Sequence, residues 1–584
     1  MIIVSTANIT VRSLLITQLG DLLTVMLYIC EAIHQERSLI VTTASGPVKG
    51  KLNVFNGTEF YTYQGIPYAE NPTGKLRFKP PVPKKPWTDV LDATKVGAYC
   101  PQLPFFYPLE GTTEDCLNIN VYVPRNGANK LLPVLVFIHG GALLALSGRN
   151  DINYGPQFLL GREMIYVSMN YRLGPLGFLS LDIEEASGNA GLKDVILSLK
   201  WVKRNIKNFG GDPDKITIAG HSSGSLIVNL LMLTNQSEGL FNQAIQISGT
   251  AFIPRSFAKY CKVNSLALAK KLGIDTDDVY KTLEGLQKVD VLKIIDAHSN
   301  MAKTHDSPIR IYAPFVVSKE VESDHALFVT DPIEMVKKNI VTRKKVPILL
   351  GIAPQEAINI VQFVLRKTVG FEKLRKYPEY LIPSNIEYPI GSQRSKNLTK
   401  QIDKMYFGGD MQNFTLTTLI EYISDTQICY GTYWWIKQYK NMADSKALYL
   451  YMFNFKGDLN KNKNSKVSGV GHGDDVPYVF VTNTTKSVLD TIDEKSRRMM
   501  DTMINFVSNF VHYGNPTPVN TNNNILWPDY DIKKQNYLLI NENPVVRAFN
   551  TTPMYSRMLF WEKVYDEYYE YLENGGEIEK KTIP

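Results

Sequence analysis

The stretch Phe209-Gly-Gly-Asp-Pro-Asp-Lys-Ile-Thr-Ile-Ala-Gly-His-Ser-Ser-Gly224 decides how this 584-residue chain is read. Lys215 to Ala219 is a short apolar β run, and Ser225 to Leu233 is apolar and helix-compatible. Between them stands Gly220-His221-Ser222-Ser223-Gly224. A G-x-S-x-G pattern arises by chance in many proteins, and it gains meaning only with a strand before it and a helix after it. At so sharp a turn the serine backbone is strained, and flanking glycines relieve the crowding. The turn lifts the Ser222 hydroxyl above the sheet edge and brings the following N–H groups to a helix N-terminus. Those donors can stabilise a developing oxyanion. Ser222 is the candidate nucleophile.

Outward from this turn, strands and helices alternate. Gly191 to Asn208 reads as a helix, with Leu192, Val195, Leu199, Val202 and Ile206 at near-helical spacing. Phe209 to Pro213 breaks it. Val134 to Ile138 and Met164 to Met169 are continuous apolar runs, as expected of strands buried on both faces. Ala244 to Ile247 and Val346 to Leu350 complete the set. Strands separated by helices predict an α/β fold with a large, mostly parallel central sheet and helices on both faces. One domain is expected over residues 38–570, with a signal peptide over 1–32 and a short polar tail over 571–584.

Apolar residues make up 44% of the chain, enough for a large core, and the net charge is only +7. The charges are scattered, which argues against nucleic acid as a partner. The densest run, Lys337-Lys338 with Arg343-Lys344-Lys345, reads as a solvated face, and the Lys/Asn-rich stretch from Lys456 to Lys466 as an exposed loop. Leu22 to Cys30 is an apolar run of signal-peptide length, though Asp21 interrupts the wider stretch and Arg12 is the only positive charge ahead of it. An uncleaved anchor and a merely buried or disordered start are the alternatives. Nothing else is apolar enough to span a membrane. The sequons at Asn56, Asn235, Asn397, Asn413, Asn483 and Asn550 favour the secretory route together though each is weak alone. Cys100 and Cys116 enclose a short loop that an oxidising compartment would let close, while Cys261 and Cys429 have no partner that sequence assigns.

A serine attacks only when a base takes its proton and an acid holds the base. Of the eight histidines, His34 lies in the presumed leader, and His221 is read as pointing away from its neighbour Ser222. His298, His305 and His325 read as surface, and His512 as a packing residue. His139 opens His139-Gly140-Gly141-Ala142 directly after a buried strand, which suits a glycine-rich oxyanion loop better than a base. His472, glycine-framed on a late loop, is the candidate base, because the order nucleophile, acid, histidine puts the base last. Glu356 follows the end of the Val346–Leu350 strand more cleanly than Asp324 or Asp331 follows any strand. Position alone leaves an ordinary surface glutamate as the alternative.

These segments resemble the type-B carboxylesterase and cholinesterase family from about residue 38 to about 570. Phe209 to Gly224 looks like its serine signature, and Glu114-Asp-Cys-Leu-Asn-Ile-Asn-Val-Tyr122 resembles its second. Gly65-Ile-Pro-Tyr-Ala69, Leu76-Arg77-Phe78 and Asn170-Tyr-Arg-Leu-Gly174 are similar to further family blocks. The pattern is most like insect carboxylesterases. The resemblance implies a Ser222–His472–Glu356 triad, oxyanion donors at the N–H groups of Gly141, Ala142 and Ser223, and a Cys100–Cys116 disulfide. It also suggests a place for the Ser248 hydroxyl near His472, the alternative being an ordinary strand-end serine.

The implied activity is hydrolysis of general, dietary, odorant or xenobiotic esters through an acyl-enzyme, with no metal or organic cofactor. The partner would be a small-molecule ester. Three positions depart from the family pattern: Ala142 and Ala357 where glycine is usual, and Ser223 where alanine is usual. All keep their backbone N–H groups, so activity should survive, but the Ala142 methyl and Ser223 hydroxyl are expected to narrow or repolarise the pocket. The loop from Pro101 to Asp115 holds Phe105, Phe106 and Tyr107 but no tryptophan, which argues against a cholinesterase. Juvenile hormone esterases often carry Gln where His221 stands, which weakens that alternative without excluding it. A non-catalytic, neuroligin-like adhesion protein on the same fold is the remaining alternative. Such relatives commonly lose a triad residue, and all three candidates are present here.

Overall fold

The computed structural model describes residues 39–578, apart from 105–110, 126–129, 150–152, 255, 259–260, 305–312, 360, 362–369, 412–414, 462–466 and 520–524. The expected signal segment, His34, Phe105, Phe106, Tyr107, His305 and Asn413 lie outside the described residues.

Eleven strands form one sheet: β1 (Lys51–Phe55), β2 (Thr58–Pro67), β3 (Asn118–Pro124), β4 (Leu132–Ile138), β5 (Ile165–Met169), β6 (Gly211–His221), β7 (Gln243–Ile247), β8 (Ile348–Ile352), β9 (Leu448–Phe453), β10 (Asn536–Ile540) and β11 (Val545–Ala548). Their order across the sheet is β11-β10-β9-β8-β7-β6-β4-β5-β3-β2-β1. The seven strands β10, β9, β8, β7, β6, β4 and β5 run parallel to one another, while β1, β2, β3 and β11 pair antiparallel at the edges.

Every residue of β4 is buried. Val134, Val136 and Ile138 enter the core on one face, and Leu135 and Phe137 enter the core on the other. The period-2 alternation of a strand therefore feeds two apolar layers, which is why the run is continuously apolar and not alternating. In β8, Ile348, Leu350 and Ile352 face one layer and Leu349 the other. Helix α1 (Ala190–Asn205) buries Leu192, Val195, Leu199 and Val202 completely. Each such side chain contributes roughly 1.5–3 kcal/mol by leaving water.

Several polar expectations differ. Arg343 is buried, its guanidinium 3.9 Å over the Phe241 ring and its Nε donating to Ser237 Oγ at 2.9 Å. Cation–π contact and a buried hydroxyl thus take up a charge expected in solvent. His298 is also buried, edge-on to Phe315. In the Lys/Asn-rich stretch, Asn460 is buried and binds Gly457 N–H and the Tyr478 hydroxyl, anchoring the start of the loop. The closing helix runs Pro553–Glu573, past the boundary expected at residue 570. The sequon asparagines Asn56, Asn235, Asn397, Asn483 and Asn550 are exposed. Cys100 and Cys116 form a disulfide, and Cys261 and Cys429 are buried free thiols.

Candidate active site

Strands β4, β6, β7 and β8 lie side by side, so their C-terminal ends meet at one edge of the sheet. The register places His221 opposite Ile247 and Ile247 opposite Gly351. Ser222, Ser248 and the segment leading to Glu356 therefore leave the sheet at one level. This is the edge at which parallel α/β sheets gather functional groups.

Ser222 joins β6 to helix α2 (Ser223–Leu231) with φ 59° and ψ −123°. A non-glycine residue held there costs about 1–3 kcal/mol. The strain is sustained by its surroundings: Ser222 N–H donates to the Ile247 carbonyl at 2.8 Å, and the Ser222 carbonyl accepts from Leu226 N–H at 3.0 Å. The flanking glycines have a steric cause. A Cβ on Gly220 would lie 2.3 Å from the Gly224 carbonyl, and one on Gly224 would lie 2.1 Å from the Ile138 carbonyl oxygen. The helix can begin this close to the sheet only if both positions lack side chains.

Glu356 is fully buried and saturated with donors. Its Oε1 accepts from Ser248 Oγ and from Ala353 N–H, each at 2.7 Å, and its Oε2 pairs with His472 Nδ1 at 2.7 Å. The carboxylate is thus fixed from three sides and directs one ring nitrogen of His472, leaving Nε2 for other work. The His472 loop is tied by Asp474, whose carboxylate accepts from Gly471 N–H and Lys461 N–H, each at 2.7 Å. Asp475 accepts from the Tyr451 hydroxyl at 2.7 Å, and burial pushes its carboxyl up to about 6. Glu356, His472 and Ser248 are brought into one hydrogen-bonded chain. The Ser222 hydroxyl makes no hydrogen bond to a described residue.

The loop after β4 turns through Gly141 (φ 104°), Ala142 (φ 60°) and Leu143 (φ 62°). The N–H groups of Gly141, Ala142 and Ser223 find no acceptor among the described residues. Successive amides in such a conformation form a concave anion-binding nest. The Ala142 methyl packs partly against the buried cluster of Leu103, Leu144 and Ile295. His139 is buried and stacks on Tyr171 at 4.3 Å; burial lowers its imidazole to about 4, which suits a neutral structural ring. Among the described residues no group of His, Cys, Asp or Glu is arranged to hold a metal ion.

The His221 ring, beside the Ser222 turn, lies against His472 with centroids 4.7 Å apart. Its Nδ1 is hydrogen-bonded to the Tyr154 hydroxyl at 3.0 Å. Burial, then the neighbouring His472 and Lys461, push it well below the usual imidazole range, so it stays neutral. No motif announces Tyr154 or this contact, because three distant segments make it. The Ser223 hydroxyl is buried and accepts from Leu143 N–H at 3.2 Å.

The sequence matches the Carboxylesterase family model over residues 37–559. It is 31% identical to juvenile hormone esterase of Heliothis virescens, over 86% of this chain and 91% of that one. It is 32% identical to esterase FE4 of Myzus persicae, over 87% and 90%. Among solved structures, juvenile hormone esterase from Manduca sexta with OTFP covalently attached superposes with a TM-score of 0.79 at 28% identity, covering 91% of this chain and 99% of that one. With its family signature spanning nearly the whole fold, this chain belongs to the carboxylesterase family and is a carboxylic ester hydrolase of the α/β-hydrolase fold.

Proposed function

We propose that ester cleavage runs through an acyl-enzyme on Ser222, with His472 as general base and acid and Glu356 as its orienting carboxylate. The observation that carries this reading is Glu356, a buried carboxylate joined to His472 Nδ1 at 2.7 Å at the strand edge from which Ser222 emerges. Ser222 Oγ attacks the ester carbonyl while His472 Nε2 takes its proton. The oxyanion is held by the Gly141, Ala142 and Ser223 amides, and the alcohol leaves with the proton from His472. Water then repeats the sequence and releases the acid. The nucleophile–base contact in such sites commonly tightens only when substrate binds. A solved relative with OTFP covalently attached supports a covalent route.

The substrates are neutral carboxylic esters of the general, dietary, odorant or xenobiotic kind, met along the secretory route. The disulfide and the exposed sequon asparagines suit that compartment. Relatives named juvenile hormone esterase favour a second reading, that the ester is juvenile hormone. Esterase FE4 is matched at similar identity, so identity does not separate the two.

The test is p-nitrophenyl acetate and butyrate hydrolysis by wild type and Ser222→Ala, with mass spectrometry of a quenched burst. Wild type should turn over and carry an acyl group on Ser222, and the variant should do neither. Equal activity in both proteins would sink the triad. Juvenile hormone and a naphthyl ester, compared by kcat/KM, decide the substrate.

A further inference from the structure

We propose that the Ser223 hydroxyl is the latch that holds the oxyanion loop in its working conformation, making Ser223 a positioning residue through its side chain. This rests on the oxyanion assignment made under Proposed function. Ala142 and Leu143 are both in the left-handed region, at φ 60° and 62°, where neither side chain is at ease. Something outside the loop must hold them there.

The peptide groups of Leu143 are gripped from both sides. Its N–H donates to Ser223 Oγ at 3.2 Å, and its carbonyl accepts from Gly174 N–H at 2.7 Å. The Tyr171 hydroxyl donates to the His139 carbonyl at 2.8 Å, just before the loop begins. The loop's entry is thus held by Tyr171, and its left-handed corner by Ser223 and Gly174. Within that span the N–H groups of Gly141 and Ala142 are left without an acceptor among the described residues. The first residue of α2 thus supplies a backbone amide and, with its side chain, fixes where the other two amides point. An alanine there keeps the amide and loses the latch. Leu143 N–H would then be buried without a partner, and the loop would be free to leave its strained conformation.

The experiment compares wild type, Ser223→Ala and Ser223→Thr, with the concentration of each normalised by organophosphate titration of Ser222 so that misfolded protein is not counted. Two inhibitors are titrated. A trifluoromethyl ketone forms a tetrahedral adduct and needs the oxyanion amides, whereas the matching alcohol binds without them. Ser223→Ala should lose roughly tenfold in kcat at little changed KM and bind the ketone roughly tenfold more weakly, with alcohol affinity unchanged. Ser223→Thr, which keeps the hydroxyl, should recover most of both. Wild-type kcat and ketone affinity in Ser223→Ala, or a loss confined to KM and the alcohol, would overturn the latch. Failure of the triad itself shows differently, as full activity in Ser222→Ala.

Discussion

The imidazole of His221 lies against that of His472, ring centroids 4.7 Å apart, so the residue preceding the candidate nucleophile touches the candidate base. Because burial keeps His221 neutral, it shields one face of His472 without adding charge. His221→Gln should leave the acid limb of kcat/KM where it is. His221→Glu places a carboxylate beside His472 and favours the imidazolium. The limb then moves to higher pH, and activity at pH 6 falls relative to pH 8. A pH–rate profile on a neutral p-nitrophenyl ester reads both.

The Glu356 carboxylate is expected to set the tautomer of His472. Glu356→Gln should lower kcat by roughly 10³- to 10⁴-fold with KM little changed, because the amide presents the wrong partner to Nδ1. Ser248→Ala removes one of the two donors on Oε1, and a fall of roughly tenfold is expected. Equal activity of Ser248→Ala and wild type in steady-state assays would make Ser248 an ordinary strand-end serine.

Cys100 and Cys116 close a loop with a sequence separation of 16. A Cys100→Ser, Cys116→Ser double variant should lose about 3 kcal/mol of stability, the chain-entropy value for a loop of this size. Urea unfolding of the two proteins at pH 7 measures the difference. Reductant should reproduce it in wild type and leave the variant unmoved.

Stability should fall in acid partly because of His139. Its folded value of about 4 lies below the ordinary 6.5, so between those values the unfolded chain takes up a proton that the fold refuses. That lowers stability by roughly 1.4 kcal/mol for each pH unit as pH falls through the window. Asp475 and Asp425, both raised to about 6 by burial, act in the opposite sense below that pH. The clean measurement is therefore a difference: the dependence of unfolding free energy on pH, wild type against His139→Asn. The two curves should diverge below pH 6.5, and parallel curves would contradict the assignment.

Much of this protein is legible in one dimension. Apolar runs such as Val134–Ile138 announce strands buried on both faces, since a two-sided strand has no polar face to show. Gly220 and Gly224 mark the turn around Ser222 because only glycine fits where helix meets sheet, and that constraint is local. The candidate positions at Ser222, Glu356 and His472 follow from the order of motifs along the chain. Tertiary structure decided the rest. The Glu356–His472 pair joins residues 116 apart, and Ser248 meets Glu356 across 108, through strand register that no local pattern encodes. The contact of His221 with His472 and the turn of the Ser223 hydroxyl toward Leu143 arise the same way. The sequence shows which residue stands beside Ser222, but only the packing of separate segments sets which way its side chain faces.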